Sequence, residues 1–104
     1  MNRTAPNRDT PWGMSDLATQ IAPGIIFYST PSHGGFHLSA DRLKVFSSGT
    51  LAWTWQGLGV QGWFEEDCDA ALVVTTFPYL FTPAEVNNAA AILRGRAAIA
   101  NATA

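Results

Sequence analysis

The chain reads as an α+β protein on three observations: a β-hairpin pattern over residues 24–38, an alternating apolar run over about 51–56, and helical patterns over about 65–76 and 83–100. Elements with one apolar face bury those faces against each other, so the expected architecture is a small antiparallel sheet packed by helices.

Taken in order, residues 1–11 are polar, contain Pro and show no period, which predicts a flexible arm ahead of a single globular domain over 12–104. Ser15-Asp16 offers an N-cap with an acid in the first turn, and Leu17 and Ile21 share a face, so a short helix is expected up to Pro23-Gly24. Gly24 to Thr30 is rich in Ile and aromatics and predicts a buried strand. Pro31 to Gly35 is turn chemistry, and Phe36-His37-Leu38 returns as the second strand. Ser39 to Leu43 has the form of an N-cap and one helical turn. Leu51-Ala52-Trp53-Thr54-Trp55 alternates large and small residues, the period of a half-exposed strand.

From Glu65 the period changes. Phe64, Cys68, Ala71, Leu72 and Thr75 fall at helical spacing, with Glu65, Glu66, Asp67 and Asp69 in what would be the first turns. Acids there complement the positive end of a helix dipole. Val73 to Thr76 is β-branched and leaves a strand as a competing reading. Thr82-Pro83-Ala84-Glu85 is a capping box with proline at the first helical position. Val86, Ala89, Ala90, Leu93 and Ala97 follow as one apolar stripe, and the tail is expected to fray from Asn101.

The 104 residues are 47% hydrophobic with four Trp, enough for a core. A net charge of −2 argues against a general nucleic-acid binder, which needs a basic face to displace counterions. Charged residues make up only 13%, with Lys44 the one lysine, a composition suited to protein–protein contact. Cys68 is the single cysteine and can form no internal disulfide, which with the lack of a leader pattern or long apolar stretch predicts a cytoplasmic protein without membrane contact.

Three clusters carry candidate chemistry. His33 and His37 flank a turn, and with Cys68 or Glu66 they form the set a small hydrolase or metal-dependent enzyme would use. The simpler reading has His33 capping its turn, His37 on the polar face of a strand and Cys68 as a small core residue; four nearby carboxylates also disfavour a thiolate. The acidic run Glu65, Glu66, Asp67, Asp69 either decorates a helix start or docks a basic partner; consecutive acids fan out by about 100° and cannot all face one ion. Gly34-Gly35 could form an anion nest, but no phosphate-loop pattern accompanies it. Trp53, Trp55 and Trp63 divide between core and interface hot spot. No metal or other cofactor is expected.

Trp12-Gly13, Gly24-Ile25, Ser29 to Ser39 with its Thr-Pro-Ser-His-Gly-Gly block, Gly62-Trp63-Phe64-Glu65-Glu66-Asp67-Cys68 and Phe77-Pro78 together resemble an uncharacterised domain family found in proteins of phages, plasmids and other bacterial mobile elements. The resemblance spans about residues 12–81 and is weaker over Lys44 to Gly59. It implies that Ser32, His33, Gly34, Gly35, Trp63, Glu65, Glu66 and Asp67 are positions to test, without assigning roles. It further implies a mobile-element protein that docks on a host protein or protein–nucleic-acid defence complex, as an anti-CRISPR-like inhibitor. Glu65, Glu66, Asp67, Asp69, Trp53, Trp55 and Trp63 would make the contact, and Ser32 and His33 a second one. On that expectation, alanine at Glu65, Glu66 and Asp67 weakens binding and spares the fold. An accessory domain of larger mobile-element polypeptides is a further alternative. Oligomeric state is left open.

Overall fold

A computed structural model describes residues 2–103, with side chains described as far as residue 97. The α+β class holds. Short strands β1 (Arg3–Thr4), β2 (Asp9–Thr10) and β3 (Gly13–Met14) precede β4 (Leu17–Ala22), β5 (Ile25–Ser29) and β6 (Gly34–Leu38). Helices α1 (Ala40–Leu43) and α2 (Ser48–Ala52) and a 3₁₀ segment over Trp55–Gln61 follow, then β7 (Trp63–Glu65), α3 (Ala70–Thr76), a 3₁₀ turn and α4 (Pro83–Thr103). The main sheet runs β1-β4-β5-β6-β7, all antiparallel, and β2 and β3 form a separate ribbon.

Alternation along the strands gives the sheet two apolar faces. Ile25, Phe36, Leu38 and Phe64 face the helices and join Val73 and Phe77. Phe46 stacks against Phe64 at 5.4 Å and Phe81 meets Phe36 edge-on at 5.8 Å. Full burial of Ile25 or Phe64 is worth roughly 2 kcal/mol each. The opposite face presents Ala18, Tyr28 and Trp63, covered by Ala5, Trp12 and Leu58.

That second core corrects two expectations. Residues 2–11 do not stand apart from the domain. Arg3 and Thr4 pair with Gln20 and Thr19, the Ala5 N–H donates to the Ala18 carbonyl at 2.8 Å, and Arg8 lies over the Trp63 ring. Residues 17–22 are a strand, not a helix. A helix of six residues is marginal by itself, whereas this segment gains ladder bonds to β1 on one side and β5 on the other. Ser15 caps nothing helical: its hydroxyl accepts from the Arg8 N–H at 3.0 Å and donates to Asn7 Oδ1 at 2.9 Å, tying the N-terminal segment down. Pro23-Gly24 serves as the β4–β5 turn, with Gly24 at φ +82°.

The β5–β6 hairpin stands as expected, with Phe27 opposite Phe36. So does the turn after Ser39, whose hydroxyl accepts from the Arg42 N–H at 3.3 Å. The strand expected over 51–56 is not formed; residues 51–52 end α2, 53–54 turn, and 55–56 open the 3₁₀ segment. Alternation over five residues is too short to exclude a turn, and Thr54 locks one in. Its hydroxyl donates to the Leu51 carbonyl at 2.6 Å and accepts from the Gly59 N–H at 2.7 Å. The helix expected from residue 65 begins at Ala70, because Trp63–Glu65 pairs with β6 as the last strand. Phe64 is therefore core by strand alternation, and Cys68 is exposed rather than core. The capping box is present in both directions: Glu85 N–H to Thr82 Oγ1 at 3.2 Å, Thr82 N–H to Glu85 Oε1 at 2.9 Å. α4 continues beyond Asn101 to Thr103.

Candidate functional site

The turn between β5 and β6 is closed by Thr30, not by a histidine. The Thr30 N–H and hydroxyl both donate to the His33 carbonyl, at 2.8 and 2.6 Å, and the hydroxyl accepts from the His33 N–H at 3.1 Å. Burying Thr30 leaves Pro31, Ser32 and His33 exposed at the tip. Across the sheet, the Glu66 N–H donates to the Gly34 carbonyl at 2.9 Å and so places residues 65–67 beside that tip.

Glu65 and Asp69 are internal braces. Glu65 is buried, and its carboxylate accepts from the N–H groups of Asp67 at 2.9 Å, Cys68 at 2.7 Å and Asp69 at 3.4 Å, folding the chain back toward α3. Asp69 is 2% exposed. It accepts from the Trp55 N–H at 2.7 Å and pairs with the Arg96 guanidinium at 3.4 Å. Burial raises its pKa, and the Trp55 N–H and the Arg96 charge oppose that shift. The acidic run thus splits: Glu65 and Asp69 hold the backbone, while Glu66 and Asp67 are exposed. It is not a solvated helix start.

Between these parts lies a notch of about 250 Å³ lined by Trp12, His33, Trp55, Glu65 and Asp67. Trp12 reaches it across the second face of the sheet, where β6 carries Gly35: a Cβ there would lie 2.5 Å from Trp12 Cη2 and against the Phe64 carbonyl. Sequence spacing alone does not mark Trp12 as a contact residue. Its signal is a glycine inside a strand, which marks close approach by another group.

The other predicted residues lie apart from this notch. Glu66 opens to a pocket on the helix side that Phe36, Phe81 and Glu85 also line. Trp63 is buried, not an exposed contact, with His37 tilted against it at 4.5 Å, Tyr28 at 5.7 Å and Trp12 edge-on at 5.8 Å. Trp53 is 79% exposed and lines a separate groove of about 590 Å³ with Leu72, Leu93 and Arg96. Ser32 and Cys68 are exposed and line neither cavity. Among the described residues, no three His, Cys, Asp or Glu side chains come together as a metal-binding group.

Burial and the Arg8 charge depress the His37 pKa, and its hydrogen bond with the Gln61 backbone acts the other way. The unfolded chain therefore takes up this proton first, so the His37 contribution is fully present above about pH 6.5 and is lost as pH falls through the lower folded value. Urea midpoints measured across that window should fall on acidification in the parent. The fall should be smaller in His37→Gln; an equal fall in both removes His37 as its source.

A family model described as Domain of unknown function (DUF7007) matches residues 5–100. No curated protein and no solved structure matches the chain.

Proposed function

The chain belongs to the DUF7007 family, and we propose that it works by docking on another protein. The observation that carries this reading is the outward display of Trp53 and Trp55, 79% and 48% exposed, on one short segment. Indole surface left in water is unfavourable until a partner covers it, and tryptophan is enriched at the energetic centre of interfaces. The display is braced from behind by the Asp69 carboxylate on the Trp55 N–H and by Arg96 on Asp69. A contact surface held in place before binding spends little free energy on ordering.

Asp67 and His33 extend this face across the notch. The buried Glu65, Asp69 and Trp63 support it from within. One wider feature agrees with docking: charged residues make up only 13% of the chain. Among the described residues no helix is long and apolar enough to cross a membrane. The more specific form of the proposal is a mobile-element protein that inhibits a host defence complex in the bacterial cytoplasm. It is supported by the likeness of the Thr-Pro-Ser-His-Gly-Gly and Gly-Trp-Phe-Glu-Glu-Asp blocks to phage and plasmid domains. The hydrolase alternative has less support, because the notch around His33 is lined by no hydroxyl or thiol and His37, Glu66 and Cys68 lie outside it.

A photo-crosslinking residue at position 53 tests the proposal in bacterial lysate, with position 87 on α4 as the control. The expected result is one adduct, identified by mass, formed from position 53 alone. Trp53→Ala and Trp55→Ala should then each weaken binding of that purified partner by about tenfold or more, with melting temperatures retained. Equal labelling from both positions, or unchanged affinity in both variants, refutes the docking face.

A further inference from the structure

We infer that the notch between Trp12 and Trp55 receives a single arginine side chain from the docked partner. This deepens the docking proposal and rests on it for the source of the arginine.

Size comes first. At about 250 Å³ the notch falls below the 300–1,000 Å³ common for whole small-molecule ligands and is on the scale of one side chain. Its lining is two tryptophans, Trp12 and Trp55, together with Glu65, Asp67 and His33. No lysine or arginine lines it, so its formal charge is −2 with His33 neutral. Two of the chain's own arginines lie over other rings: Arg8 at 5.2 Å from the Trp63 centroid and Arg42 at 5.1 Å from Phe77. Among the described residues no cation is seated over Trp12 or Trp55.

The two carboxylates differ in availability. Glu65 is saturated by three backbone N–H groups and supplies fixed negative charge at the back of the notch. Asp67 is exposed, and among the described residues its carboxylate takes part in no ion pair. A cation over an indole face gains from the ring quadrupole, and a guanidinium also offers a planar fork to a free carboxylate. An ammonium is a compact, strongly hydrated point charge and gains less from aromatic surface. Anions meet like charge here. An uncharged side chain would leave Asp67 without a partner.

The test is an NMR titration of the full chain with acetyl-arginine amide, followed through the four indole N–H resonances. Its neutral isostere acetyl-citrulline amide is the control. Saturable shifts are expected for the Trp12 and Trp55 resonances, not for Trp53, with affinity at least about fivefold above citrulline. Asp67→Asn should abolish most of that preference, and because Asp67 is exposed the substitution should spare the fold. Equal binding of arginine and citrulline, absence of saturation, or full preference in Asp67→Asn overturns the inference. The position-53 crosslink separates the two claims. A crosslink without arginine binding leaves docking and removes the arginine; arginine binding without a crosslink leaves the receptor and removes the partner.

Discussion

Gly35→Ala is expected to destabilise the protein by about 3 kcal/mol and to displace Trp12 from the sheet. A Cβ at this position lies against the Phe64 carbonyl and 2.5 Å from Trp12 Cη2. The carbonyl belongs to β7, opposite β6 in the ladder, and moves only if the strand moves. Forcing one extra carbon into a filled core costs about 1–3 kcal/mol. Relief by moving the indole forfeits its edge-on contact with Trp63, worth about 0.5–1.5 kcal/mol, together with its burial. Urea denaturation reads the first effect, and the Trp12 indole resonance reads the second. Gly95→Ala is the control. Nothing lies within 4 Å of a Cβ there, and replacing a glycine in a helix interior should stabilise by about 0.5–1 kcal/mol. If Gly35→Ala stays within about 0.5 kcal/mol of the parent, Trp12 does not pack on β6 as described.

Glu65→Ala is expected to cost about 2–3 kcal/mol, because it removes one charged acceptor from three backbone donors. Hydrogen bonds to charged groups are worth about 1.5–3 kcal/mol, and Asp67 and Cys68 are exposed enough for water to replace part of the loss. Glu65→Gln keeps a carbonyl acceptor of the same reach and should lose about half as much. Amide exchange gives a local readout. The N–H groups of Asp67 and Cys68 should be protected in the parent although their side chains are exposed, and should lose protection in the alanine variant. Unchanged protection means Glu65 does not organise this loop. The triple alanine substitution at Glu65, Glu66 and Asp67 is accordingly no clean test of binding, since one of the three holds the fold. Asp67 by itself is the informative position.

The contrast among these acids shows what could be read in the chain. All four sit within five residues, and composition assigns them one role. Their fates diverge because β7 ends at Glu65, which turns that side chain onto its own following backbone, while Asp69 meets the Trp55 N–H fourteen residues upstream. No local spacing encodes that second encounter. The same holds for Trp12. Its partner Gly35 is visible as an unusual strand residue, but the pairing forms only once β4 to β6 have assembled. In the sequence His33 and Trp55 are candidates for separate reasons, one on a turn and one on an expected strand. They share the notch because the chain after α2 turns at residues 53–54 and kinks at Gln56-Gly57 instead of extending as a strand.

The α+β class, the β5–β6 hairpin, the turn after Ser39 and the start of α4 are all legible in the chain. Each rests on contacts between residues close in the chain: alternation in paired strands, a hydroxyl three residues from its amide, a reciprocal capping box. Long-range packing makes residues 17–22 a strand, lays the N-terminal segment over the second sheet face and selects which aromatics are buried. Those outcomes turn on distant partners: β1 and β5 for residues 17–22, Gly35 for Trp12, the Trp55 N–H for Asp69. Short segments with weak intrinsic preference take the conformation that their long-range partners stabilise.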